Sequence, residues 1–131
     1  MARVSFDAGV LIGLERRDTR AWAWLKRATE RGEPPIVCAA VVAECWRDGR
    51  RQPLLASALR VCDIVSVDLG LACAAGEALA TVRGADTVDA LAAATAAHAG
   101  ALLVTDDLND LRSLADVHFR GLRLASLSAS R

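Results

Sequence analysis

Val4-Ser5-Phe6-Asp7-Ala8-Gly9-Val10-Leu11-Ile12-Gly13-Leu14-Glu15 is the stretch whose reading decides the fold. Three strand-forming residues end in an acid, and an apolar helical segment from Val10 to Glu15 follows almost at once, with Gly9 permitting a tight turn between them. The rest of the chain continues the alternation. Asp18 or Thr19 can cap a helix over Arg20 to Arg31, which Gly32 closes. Pro34-Pro35 introduces a strand at Ile36-Val37-Cys38. Val41, Val42, Cys45 and Trp46, at spacings of three and four, then predict a helix over Ala39 to Trp46. Asp48-Gly49 breaks it, and Pro53 opens a helix covering Leu54 to Val61.

A third strand is expected at Ile64 to Val67, followed by Asp68 as N-cap and a helix from Leu71 to Val82. Asp86 or Thr87 can cap the next helix, whose alanine-rich body from Ala90 to Ala99 has high helix propensity before Gly100 ends it. Ala101 to Val104 is a fourth strand, Leu108 to Ala115 a short helix, and Leu122 to Leu124 a last strand before a polar tail, Ser126 to Arg131. Strands alternating with helices imply an α/β fold with a mostly parallel sheet of about five strands, covered on both faces.

The length of 131 residues suits one domain, spanning 1–131, with a single sizeable core. Sixteen basic residues balance sixteen acidic ones, so attraction to a polyanion must be local. Lys26 is the only lysine, leaving arginine as the phosphate-recognising side chain. Cys38, Cys45, Cys62 and Cys73 form no C-x-x-C pair and lie in apolar stretches, which argues against a zinc cage and for buried thiols in a reducing compartment. Asp7 interrupts the apolar start, no cleavage site follows it, and no apolar run reaches bilayer-spanning length. A cytoplasmic protein, not associated with membranes, is expected.

Four acids stand out by placement. Asp7 and Asp107 follow strands, Glu44 interrupts an apolar helix, and Asp89 lies at a helix start. In an open α/β sheet, ligands bind beyond the carboxyl ends of the strands, where residues distant in sequence meet. Each acid also has a local explanation. Asp7 could cap the following helix, Asp89 could complement the helix dipole, Glu44 could pair with Arg47, and one or two of Asp106, Asp107 and Asp110 could cap the helix after them. Those separate explanations leave their common position unexplained. Clustered carboxylates raise one another's pKa unless a cation compensates, and oxygen-only ligands favour Mg²⁺ or Mn²⁺ over zinc. Such a site activates water against a phosphodiester.

In this order, Phe6-Asp7-Ala8-Gly9-Val10-Leu11-Ile12, Val41-Val42-Ala43-Glu44, Thr87-Val88-Asp89-Ala90 and Leu103-Val104-Thr105-Asp106-Asp107-Leu108-Asn109-Asp110-Leu111 resemble a PIN-domain ribonuclease, most closely the VapC-type toxins of toxin–antitoxin pairs. The resemblance covers nearly the whole chain. It implies a PIN-like three-layer α/β/α sandwich and a quartet of Asp7, Glu44, Asp89 and Asp107, both catalytic and metal-holding, with Asp110 as a further metal-site member. It also implies Mg²⁺ or Mn²⁺ as cofactor and hydrolysis of RNA by metal-activated water to a 5′-phosphate and a 3′-hydroxyl. Homodimerisation and a VapB-like antitoxin follow from it too, with operator DNA reached only through the antitoxin.

Two departures stand out: Gly9 where the family often has serine, and Asp106 where it often has serine between threonine and aspartate. Asp106 is thus a second candidate for the fourth corner of the quartet, and Thr105 a candidate to orient a carboxylate. Two other functions compete. One is a catalytically idle PIN-like module that only binds a partner, and the other a Mg²⁺-dependent phosphotransfer domain, against which the missing D-x-D after the first strand speaks. Arg16, Arg17 and Arg20, and Arg47, Arg50 and Arg51, are either phosphate contacts or solvated helix ends. Trp22 and Trp24 cannot share a helix face, so one should enter the core and the other lie nearer the surface as an interface candidate. His98 and His118 are too scattered for a catalytic constellation.

Overall fold

A computed structural model describes residues 3–128. Its sheet has five parallel strands in the order β3-β2-β1-β4-β5, with β1 at Val4–Phe6, β2 at Ile36–Cys38, β3 at Asp63–Val65, β4 at Leu102–Thr105 and β5 at Arg123–Ser126. The helices are α1 (Ala8–Glu15), α2 (Thr19–Glu30), α3 (Ala39–Cys45), α4 (Pro53–Arg60), α5 (Leu69–Thr81), α6 (Thr87–Ala99) and α7 (Leu108–Ser113). A single π-helical turn, Leu114–His118, extends α7 toward β5.

The strand residues explain why the sheet is covered on both sides. Ser5 pairs with Ile36 and with Leu103, so their neighbours Phe6, Val37 and Val104 point to the opposite face. Phe6, Val37 and Val104 join Val10, Leu11, Leu14, Trp24 and Leu25 in one buried cluster beneath α1 and α2. Ile36 and Leu103 join Ala75, Ala78, Ala93, Ala96, Leu111 and Leu114 in a second, beneath α5, α6 and α7. The alanine face of α6 lets it approach the sheet closely, and it packs across β1, β2 and β4. The expected three-layer α/β/α sandwich is the observed fold.

Several boundaries differ from the sequence reading. β3 begins at Asp63 and ends at Val65, two residues earlier than Val67, because Asp63 pairs with Ile36 and its carboxylate receives Arg3 Nη2 at 3.2 Å. β5 runs through Ser126, so the polar tail starts later than expected, and residues 129–131 lie outside the described chain. Gly9 is not a turn residue: α1 starts at Ala8, and Gly9 has an ordinary helical backbone. Asp18, Asp68 and Asp86 cap α2, α5 and α6 through their side chains, and Gly100 ends α6 with φ +63°.

Candidate metal centre

The strand order reverses between β1 and β4. From β1 the chain moves outward through β2 to β3, then returns to the other side of β1 for β4 and β5. Such a switch point opens a crevice beyond the strand ends. Asp7 emerges there from β1, and Thr105-Asp106-Asp107 emerges beside it from β4, with the Asp7 amide donating to the Val104 carbonyl at 3.0 Å. α6 runs back antiparallel to the strands, so its first turn brings Asp86 and Asp89 to the same edge.

Asp7 is the buried acid of this edge, 6% exposed. It makes no side-chain cap bond to α1, which removes the capping explanation. The Thr105 hydroxyl donates to Asp7 Oδ2 at 2.9 Å and accepts from the Asp107 amide at 3.0 Å, so a wholly buried threonine ties the two strand ends together. Asp7 Oδ1 is buried without a hydrogen-bond partner. Burial pushes the Asp7 pKa up, and the charges of Asp106 and Asp107 add to it; the Ala8 amide and the Thr105 hydroxyl act the other way. A buried, half-satisfied carboxylate is costly in isolation. Thr105→Val should therefore lower the unfolding free energy by about 1–3 kcal/mol, read by urea denaturation at neutral pH, and Thr105→Ser should recover most of it.

The remaining acids surround Asp7. Asp89, in the first turn of α6, has its pKa pushed up to about 7, chiefly by burial and then by the charges of Asp7, Asp86, Asp110 and Glu44. Glu44 is also shifted upward, by partial desolvation first and then by Asp86 and Asp7. Its placement differs from expectation: it lies in the last turn of the short helix α3 and is exposed, because that helix presents Val41 and Cys45 to the core and Glu44 to the edge. Glu44 makes no ion pair with Arg47, which instead donates to the Ala43 and Trp46 carbonyls.

Asp107 is exposed and serves as N-cap of α7, accepting from the Asp110 amide at 3.3 Å. The capping explanation therefore holds for Asp107, although capping occupies only Oδ1. Asp110 is exposed on the first turn of α7 and its pKa is raised by Asp107, to which it is hydrogen-bonded, with Asp7 and Asp86 contributing. Asp86 is the acid that the sequence reading assigned only to capping. It caps Asp89 at 3.1 Å and its charge reaches Glu44, Asp89 and Asp110. Its position three residues before Asp89 at a helix start was the available signal.

The donor set is all carboxylate, and the orphaned Asp7 Oδ1 is the kind of atom a hard cation satisfies. Among the described residues, no three His, Cys, Asp or Glu side chains stand close enough as placed to hold one ion. Uncompensated carboxylates repel, so side chains that share an edge need not converge upon one point. The residues fit a divalent cation by donor chemistry, by the orphaned Asp7 Oδ1 and by their mutual electrostatics.

A sequence model of the family described as PIN domain matches residues 4–117. The chain belongs to the PIN-domain family. Comparison with curated proteins gives no significant match. Among solved structures, FitAcB from Neisseria gonorrhoeae aligns with a TM-score of 0.70 at 18% identity, over 96% of this chain and 99% of that one. DNA-bound VapBC from Salmonella typhimurium gives 0.70 at 15% identity, over 97% and 99%, and a toxin–antitoxin complex from Klebsiella pneumoniae gives 0.70 at 18%, over 96% and 98%. Identities this low establish likeness of fold.

Elsewhere on this PIN domain, Trp24 is the tryptophan that enters the core, its indole N–H donating to the Leu127 carbonyl, while Trp22 lies nearer the surface with its N–H on the Leu14 carbonyl. The more exposed tryptophan is Trp46, beside a cleft lined by Val42, Ala56 and Leu59. Arg20 is held by Asp18 through two contacts, whereas Arg16, Arg17 and Arg50 are exposed. His98 lines a cleft between α5 and α6, and His118 lies against Thr81, both away from the acids. Cys38 and Cys45 are buried as expected and Cys62 partly so, but Cys73 is exposed on α5. No helix among the described residues is long and apolar enough to cross a membrane.

Proposed function

We propose that this chain, as a single PIN domain over 1–131, is a divalent-metal-dependent endoribonuclease acting as the toxin of a type II toxin–antitoxin pair. The observation that carries the reading is Asp7: a buried carboxylate at the switch point of the sheet, one oxygen fixed by Thr105 and the other unpartnered, ringed by Glu44, Asp86, Asp89, Asp107 and Asp110. PIN domains are in general nucleases that use divalent cations. Mg²⁺ or Mn²⁺, when bound, would supply Lewis acidity to the phosphate and lower the pKa of water.

The chain's own residues supply the rest. Asp7, Glu44, Asp89 and Asp107 would hold the cation, with Asp110 completing the ring. Thr105 orients Asp7, and burial beneath α1 keeps that carboxylate in one geometry, so its position is set before substrate arrives. Asp89, with its pKa near neutrality, can hold or release a proton at the working pH when no cation is present. The exposed Arg16, Arg17 and Arg50 flank the acids in sequence and are available to phosphate oxygens.

The fold shared with VapBC, FitAcB and the Klebsiella pneumoniae complex supports a VapB-like antitoxin as partner and contact with operator DNA only through the antitoxin, and a homodimer is the assembly we propose with it. A cytoplasmic location accords with such a partner. Purified protein should cleave labelled RNA with Mg²⁺ or Mn²⁺, leave 5′-phosphate ends, and stop when EDTA is added. Cleavage that persists in EDTA would sink the reading, while Mn²⁺ binding without cleavage of any RNA would favour the idle module.

A further inference from the structure

Gly9 and Asp106 depart together from the family pattern, and the structure joins them. Gly9 sits in the first turn of α1 with an ordinary helical backbone, so its lack of a side chain is not needed for backbone freedom. Glycine is a poor helix former, and something else must account for it. A Cβ added at Gly9 would collide with Cγ, Oδ1 and Oδ2 of Asp106. The carboxylate of Asp106 therefore rests in the space where a serine side chain would begin. That space is two residues from Asp7, whose Oδ1 is buried and unpartnered.

Asp106 has no structural duty that would explain this seat. Asp107, not Asp106, caps α7. Among the described residues Asp106 accepts no hydrogen bond and makes no ion pair, Arg20 being held instead by Asp18 at 2.6 Å. Asp106 nevertheless presses on Asp7: of the neighbouring charges that raise the Asp7 pKa, it is the larger, ahead of Asp107. The charge of Arg20 reaches Asp106 without an ion pair forming, so the two carboxylates still repel; an acid held beside a buried acid destabilises the empty protein and strengthens a site for a cation between them.

We propose that Asp106 is a cation-holding carboxylate of this site, opposite Asp7, and that Gly9 is the residue that admits it. The pair works as one exchange, a side chain given up on α1 and an acid gained after β4. This inference rests on the metal-dependent reading above. It adds a ligand to that ring: Asp107 caps α7 through Oδ1 and keeps Oδ2 for the ion, and Asp106 is a further carboxylate that faces it.

The test is Mn²⁺ titration calorimetry with thermal melts of the metal-free protein, on the wild type, Asp106→Asn, Gly9→Ser, the double variant Gly9→Ser/Asp106→Ser, and Asp7→Asn. Asp106→Asn, nearly isosteric at an exposed position, should fold and bind Mn²⁺ at least about tenfold more weakly. Gly9→Ser should lower Mn²⁺ affinity, because the added Cβ expels the carboxylate, and leave the metal-free melting temperature level or raised, because the displaced Asp106 side chain is exposed and no longer presses on Asp7. The double variant should match Gly9→Ser in both, weak Mn²⁺ binding and a melting temperature no lower than that of the wild type, because displacing the acid and removing it have the same effect. Wild-type affinity in Asp106→Asn or in Gly9→Ser, with affinity lost in Asp7→Asn, would overturn this inference and leave the metal site standing. Absence of Mn²⁺ binding by the wild type would overturn both.

Discussion

Asp7→Asn is expected to abolish metal-dependent RNA cleavage, by on the order of a thousandfold or more, while leaving the protein folded. The two halves have one cause. Asp7 is 6% exposed, and its Oδ1 has no hydrogen-bond partner among the described residues, so the ionised carboxylate is held at a cost that Thr105 and the Ala8 amide offset in part and a bound cation would offset further. Asparagine keeps the shape and the oxygen that accepts from Thr105, and removes the buried charge together with the principal anionic ligand. The metal-free melting temperature should therefore stay level or rise at neutral pH. Cleavage assays at matched Mg²⁺, beside circular dichroism melts with and without Mn²⁺, check both: the wild type should gain stability from Mn²⁺ and the variant should not. Undiminished cleavage by a folded Asp7→Asn protein would remove the acid ring from the mechanism.

Metal-free protein should lose stability as pH rises from about 4 toward neutrality. The direction follows from Asp89, whose pKa stands at about 7 in the folded protein against 3.8 in an unfolded chain. Between those values the folded state binds the extra proton, so stability falls with increasing pH until both states are ionised, and is then level. Asp7, Glu44 and Asp110, all shifted upward, act in the same sense. Asp18, drawn down to about 2 by Arg20, acts oppositely but only below the usual carboxylate range. Because Asp89 is partly solvated and its neighbours screened, the recoverable effect is about 2 kcal/mol rather than the full shift. Asp89→Asn should thus raise the metal-free melting temperature by roughly 5–10 °C at pH 7.5 and by little near pH 4. Saturating Mn²⁺ should abolish the pH slope in the wild type. A wild-type melting temperature that climbs from pH 5 to 7.5 without metal would contradict it.

Much of this was legible in the chain because it rests on local rules. The short apolar strands at Val4–Phe6 and Leu102–Thr105, the caps Asp18, Asp68 and Asp86, and the glycine stop at Gly100 all follow from residues within a few positions of one another. Element ends were less legible. β3 is displaced by its pairing with β2 and by Arg3, which lies 60 residues away from Asp63, and α1 starts at Ala8, two residues before Val10, because Gly9 takes a helical backbone instead of forming a turn. Glu44 was read as a misfit inside an apolar run, yet its short helix turns it to solvent at the sheet edge. Asp86 passed as a cap alone, since a capping role and a place in an acidic ring have the same sequence signature.

By itself, then, the sequence determined the alternation of strand and helix, the family, and a short roster of acids that no single local role explains together. Only the tertiary structure decided which of those acids confront one another. Strand order places β4 beside β1, so Asp7 meets Thr105, Asp106 and Asp107 across nearly a hundred residues, and the antiparallel run of α6 delivers Asp86 and Asp89 to the same edge. Helix and strand periodicity are written within a few residues, whereas adjacency across a sheet arises from the packing of the whole core. That is why Gly9 reads as a turn residue in the sequence and as the seat of the Asp106 carboxylate in the fold.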